Sequence, residues 1–261
     1  MSRRSRGAAA VAWSVLLAVG ITSCGDDDPG AAADDSRTTA TPSGSAGSSP
    51  PSAESAAAYV KLTERTFAEA MTAAMYAQET VHIEMRAGVA TIMDADYRFG
   101  TSEDVAMEGT VHSGGPPVEM LVVDGAVFVK EGTEPKWTEL PAEVAEQVLG
   151  EFESADPTQI ARTFELGLKQ VSYSGVDDVD GLQVHGYDVT LHEEFVAEEM
   201  DVPVSEVPDI AYRLWLDEDH LLRRMTFSAD GLDAEVLLTR WGTPVGIEAP
   251  PEEEVVQPPL S

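Results

Sequence analysis

The stretch IAYRLWLDEDHLLRRMTFSADGLDAEVLLT, residues 210–239, decides the fold. It reads as three strands. Ile210, Tyr212, Leu214 and Leu216 share one phase, with Arg213 and Trp215 on the other. Asp217-Glu218-Asp219-His220 is a polar turn, after which Met225 and Phe227 alternate with Arg224 and Thr226. Asp230-Gly231 turns the chain again, into Ala234, Val236 and Leu238. Period-two alternation on successive segments joined by short polar turns marks an antiparallel meander with one apolar face.

The same pattern extends upstream. Val171 and Tyr173 begin a strand, and beyond the Asp180-Gly181 turn Tyr187, Val189 and Leu191 alternate on the next. Thr80–Ala87, Thr91–Phe99 and Asp104–His112 are further strands, and Val118–Val123 and Ala126–Lys130 flank the hairpin turn Asp124-Gly125. Helical segments appear in four places. Val60, Phe67, Met71, Ala74 and Gln78 form a stripe on a helix expected over residues 55–78. Pro141–Leu149 and a segment opened by Asp156-Pro157, with Ile160, Phe164 and Leu168 on its apolar side, give two more, and Glu193–Met200 is a short acidic helix. An open sheet this wide curls, and its apolar face needs cover. The expected fold is α+β: a curled antiparallel half-barrel of about ten strands with a helical lid on its concave face and a charged outer face.

The chain ahead of this domain reads differently. Residues 1–23 place Arg3, Arg4 and Arg6 before a short apolar run, and Ile21-Thr22-Ser23 precede Cys24, the only cysteine. A basic start, an apolar core too short for the roughly 20 residues of a membrane span, and a small-residue cleavage point make a secretory leader. Residues 24–58 are rich in Ser, Thr, Ala, Gly, Pro and Asp with no large apolar residue, a tether whose root-mean-square reach as a coil is about 30 Å. The folded domain is expected over 59–250, and the Pro- and Glu-rich 251–261 as a flexible tail. One cysteine allows no internal disulfide, so the core alone must hold the fold. The net charge of −31 becomes −34 once the three leader arginines are removed. Such a balance excludes nucleic acid as a partner and keeps the domain off anionic lipid surfaces.

The closing Ile-Thr-Ser-Cys resembles the lipobox of bacterial lipoproteins, in which the cysteine is acylated and the leader cut just before it. Together with "TVHIEM", "VDGAVFVK", "VDGLQVHGYDVTL", "YRLWLDEDHLLRRMTF" and "LLTRWGTPVGIEAPP", in this order, it resembles the actinobacterial LppX/LprA/LprF/LprG lipoproteins over about residues 59–250. That family is similar in fold to LolA and LolB. The resemblance implies an anchor to the cell membrane through acylated Cys24, on the extracytoplasmic face. It also implies an apolar cavity that takes acyl chains of a lipid or glycolipid and aids their transport in the cell envelope. Candidate cavity-lining residues, on or near the apolar phases, are Phe67, Met71, Met85, Met107, Met120, Tyr212, Leu214, Met225 and Phe227. Flexible thioethers suit varied acyl chains, and they also fill ordinary cores.

No motif for catalysis is present. The five histidines fall in no zinc spacing and read as solvated or edge residues. Asp177-Asp178-Val179-Asp180-Gly181 lacks the later glutamate of a calcium loop and reads as a turn. There is no nucleophile elbow and no phosphate loop, so neither enzyme activity nor a cofactor or metal is expected. Two functions stand: a lipid carrier, and a cell-envelope sensor or interaction module whose acidic face meets a basic protein partner without lipid cargo.

Overall fold

A computed structural model describes residues 59–99, 105–112, 114–132, 136–155, 157–229 and 232–256. The leader, Cys24, the tether, the expected helical turn over 55–58, Asp104, Asp156, Asp230-Gly231 and residues 257–261 lie outside the described residues.

Twelve strands form one sheet: β1 (Thr80–Ala87), β2 (Ala90–Arg98), β3 (Ala106–Val111), β4 (Val118–Val123), β5 (Ala126–Glu131), β6 (Trp137–Glu139), β7 (Leu168–Val179), β8 (Leu182–Leu191), β9 (Ala211–Leu216), β10 (Leu222–Ala229), β11 (Leu232–Thr239) and β12 (Val255–Val256). The spatial order β12-β6-β5-β4-β3-β2-β1-β11-β10-β9-β8-β7 leaves β12 and β7 as edges, so the curled sheet stays open. β1 pairs with both β2 and β11 and so joins two meanders. Every pairing is antiparallel except β12 with β6. The ten strands read in the sequence are all present. The two additional ones, β6 and β12, are too short to show an alternation.

Asp124 and Gly125 take φ of 52° and 74°, and Asp180 and Gly181 take 54° and 81°. Positive φ at both central positions matches the twist of the strands they join, and Asp-Gly accepts it readily.

The helices differ from the sequence expectation at their ends. α1 spans Phe67–Tyr76, not residues 55–78. Thr63 and Thr66 close a hydroxyl-bonded turn, with Thr66 Oγ1 accepting from Thr63 N at 3.0 Å, and such bonds compete with helix. Leu62 N–H is drawn off to Tyr187 Oη at 3.0 Å. The buried stripe is therefore Phe67, Met71 and Met75, all fully buried, while Val60 is 76% exposed. α2 (Ala142–Ala155) runs beyond Leu149, and α3 (Pro157–Gly167) stops at Gly167, so Leu168 begins β7. α4 is Glu193–Met200, as read.

The outer face carries charge as expected, including pairs such as Arg86–Glu235 at 3.3 Å and Arg224–Glu235 at 2.6 Å. It also carries apolar patches that the alternation did not reveal. Ala106, Leu121, Val123 and Phe128 are buried beneath Ile247, and Val179, Val184 and Trp215 cluster elsewhere. Thus "WGTPVGIEAPP" acts as a clasp on the outer face. The chain beyond Ala249 does not fray at once: Val255 and Val256 add to β6 at Trp137 and Thr138.

Candidate functional site

Cross-strand register sorts the concave face into rows, because paired residues point the same way. One row, Val81–Tyr97–Met107–Val122–Val127, is at most 3% exposed throughout. A second runs nearly the width of the sheet: Tyr173–Tyr187–Leu214–Met225–Val236–Met85–Met93–Val111–Val118. From Tyr187 to Val236 this row is buried; from Met85 to Val118 it is half-buried. Met120 and Val129 on the adjoining row are also half-buried. These six residues, Met85, Met93, Val111, Val118, Met120 and Val129, form an apolar shelf on β1–β5.

Helix cover explains the difference. The Phe67 ring of α1 lies 5.1 Å from Tyr187, and Phe164 of α3 meets Tyr212 edge-on at 5.8 Å. α1 packs on α3, and these rings set the pair against β8 and β9, while α2 reaches α3 and β5. Beneath the shelf, Gly109 keeps β2 and β3 close. A Cβ there would fall 2.4 Å from Ala95 Cβ and 2.5 Å from Asp94 O.

The nine candidate lining residues divide accordingly. Phe67, Met71, Met107, Tyr212, Leu214 and Met225 are at most 4% exposed, packed between helices and sheet. Met85, Met120 and Phe227 are half-buried. Met85 and Met120 belong to the shelf, and the Phe227 ring is 6.5 Å from that of Tyr212. Burial pushes the Tyr212 phenol well above its ordinary range. Met93, Val118 and Val129 were not singled out from sequence; the register that aligns them with Met85 and Met120 is a long-range property.

The polar groups are elsewhere. On the outer face a pocket of about 230 Å³ lies between β1–β3 and the clasp, with His82, Asp96, Glu108 and Arg240 among its lining residues. Asp96 Oδ1 is 2.9 Å from His82 Nδ1 and accepts from Arg240 at 2.7 Å. His185 is a correction: it is 6% exposed rather than solvated, 3.2 Å from Tyr173 Oη. Burial lowers its pKa first, with His220 and Lys61 adding to the effect. Asp217, also missed, is 2% exposed and accepts from the backbone N–H of Asp219 and Leu221 and from Arg223. Asp178 Oδ1 caps its own turn by accepting from Gly181 N at 2.8 Å. Among the described residues no group of three or more His, Cys, Asp or Glu is arranged to hold a metal, and no helix is long and apolar enough to cross a membrane.

A family model described as a family of unknown function (DUF7537) matches residues 7–236. The chain belongs to this family. No curated protein matches the DUF7537 chain in sequence. Its structure is similar to that of LprF from Mycobacterium bovis, with a TM-score of 0.52 and 19% identity over 72% of this chain and 96% of the other. It is likewise similar to the lipoprotein LppX of Mycobacterium tuberculosis, with a TM-score of 0.52 and 16% identity over 71% and 98%. At these identities the likeness establishes a shared fold, the one that the sequence resemblance implied.

Proposed function

We propose that this domain is a membrane-anchored, extracytoplasmic carrier that holds lipid or glycolipid acyl chains against the concave face of the sheet. The observation that carries this reading is the shelf. Four of its apolar side chains continue the buried row and two stand on the adjoining one, with no charged residue among the six. A well-packed monomer seldom leaves so continuous an apolar strip beside its core without use for it. Met85, Met93 and Met120 give it a surface that adapts to chain shape. Each acyl methylene buried there contributes about 0.8 kcal/mol, so ten contribute about 8 kcal/mol before the cost of immobilising the chain. Uptake needs no covalent step. Displacing α2 or the α1–α3 pair would lengthen the shelf into a groove. Cys24, acylated, would hold the carrier at the membrane that supplies its cargo.

The test is a soluble fluorescent fatty acid, titrated into the chain from residue 24 onward carrying Cys24→Ser. Saturable binding, competed by unlabelled palmitate and weakened by Met93→Glu, is the expected result. Absence of binding, together with no lipid on extraction of protein purified from a membrane-containing host, would overturn it in favour of a protein-binding module.

A further inference from the structure

The β1–β2 hairpin is built unlike its counterparts. Asp124-Gly125 and Asp180-Gly181 place a carboxylate at the tips of the β4–β5 and β7–β8 hairpins. The β1–β2 tip is Ala87-Gly88-Val89-Ala90, all four exposed, with Val89 104% exposed. Gly88 supplies the positive φ of 57° that the turn requires, so the turn does not require valine at the next position. A polar residue there would serve the turn as well and the solvent better. β1 and β2 occupy the middle of the sheet, and the tip lies at the end where the shelf emerges: Met85 and Met93 are opposite one another a few residues below it. Among the described residues the apolar surface therefore continues from the tip into the shelf without an intervening charge on the concave side. Described charges flank it on the outer side. Arg86 is neutralised by Glu84 at 2.8 Å, and Asp233, whose carbonyl accepts from Gly88 N, holds its carboxylate to Ser228 Oγ at 2.6 Å.

We propose that the Ala87–Ala90 tip is the contact that the domain makes with a lipid bilayer, and that it sets the shelf against the acyl region when cargo is exchanged; this rests on the carrier reading above. The tether provides the means. By composition residues 24–58 read as a tether between Cys24 and the domain, and a chain of that length, if flexible, would reach about 30 Å, about the width of a small domain. Anchoring thus keeps the domain at high local concentration beside a bilayer, and a weak apolar contact suffices. Asp233 and the charge of −34 left without the leader oppose anionic headgroups, so the preferred surface is zwitterionic.

The test attaches an environment-sensitive dye to a single thiol, Val89→Cys, in the chain from residue 24 onward carrying Cys24→Ser, and adds phosphatidylcholine vesicles. Asp124→Cys, at the opposite end of the sheet, is the control. Expected are a blue shift and a several-fold rise in emission at position 89 and none at 124, with a smaller response on phosphatidylglycerol vesicles. In flotation assays Val89→Asp should lose vesicle association several-fold and still bind the soluble fatty acid. No response at position 89, or an equal response at 124, would overturn the tip as the contact. Failure of fatty-acid binding with a normal response at 89 would instead remove the carrier reading and leave the tip standing.

Discussion

The two halves of the Met85 row are made of the same kind of residue and have different fates. Tyr187, Leu214, Met225 and Val236 are buried; Met85, Met93, Val111 and Val118 are half-buried, on strands in register with the first set. Strand alternation is as regular on one side as on the other. What separates them is burial under the helices: Phe67 and Phe164 pack on the first half, and the second half keeps part of its surface open. An apolar phase thus states that a face must be covered, without stating by what. On one half the cover is the protein's own helices. On the other, by our proposal, a ligand completes it.

The comparison breaks most visibly through stability. Leu214→Ala removes a fully buried side chain and should cost about 3 kcal/mol in urea unfolding. Met93→Ala, on the shelf, should cost less than about 1 kcal/mol, because its side chain is only half-buried. Equal costs would mean that the shelf is as fully packed as the covered half. Asp217→Ala comes next. Two backbone N–H groups and Arg223 lose their acceptor in a turn far from the shelf, a loss of about 2–3 kcal/mol. Fatty-acid affinity of the folded fraction should not change, and a parallel loss of binding would tie ligand uptake to global stability instead of to the shelf. Met93→Glu places a charge on the shelf and should weaken the same probe about tenfold, or about 1.4 kcal/mol, with stability nearly unaltered.

How far these features were legible in the sequence depends on their range. Hairpins at Asp124-Gly125 and Asp180-Gly181, strand phases such as Val81/Ile83, and the α4 boundaries are local, and alternation or turn chemistry sufficed. The order of strands was not local. Nothing near Val81 announces that β1 pairs with β11 as well as β2, and only that pairing places Met93 in line with Leu214. The helix over residues 55–78 was overextended for a related reason. Val60 continues the spacing of Phe67 and Met71, yet the Leu62 bond to Tyr187, 125 residues away, outcompetes another helical turn. Asp217 and His185 were misjudged because a polar residue in a turn or on a strand looks solvated until its neighbours are known. The outer clasp was missed because Ile247 and Val255 stand in a Pro-rich segment with no periodicity to read.

The smallest effect tests how the covered half is fastened. Lys61 Nζ lies 3.9 Å from the centroid of the Tyr173 ring, Tyr173 meets Tyr187 at 5.5 Å, and His185 Nδ1 is 3.2 Å from Tyr173 Oη. The residues that lead into α1 thus form a strap pinned over β7 and β8. Burial holds the folded His185 pKa below the ordinary 6.5, so the unfolded chain takes up its proton first. Above about pH 6.5 the residue costs nothing; as pH falls below that value folding loses stability, until the folded imidazole protonates too. His185→Gln should therefore flatten the difference between urea midpoints at about pH 7.5 and about pH 5.5, relative to the parent chain, since the acidic groups common to both cancel. Protonation also adds a charge beside Lys61, which favours release of the strap. Fatty-acid binding should then strengthen modestly at the lower pH in the parent and not in the variant. A parent whose binding is indifferent to pH would show that the strap stays closed while the shelf is filled, and that the two halves of the row act independently.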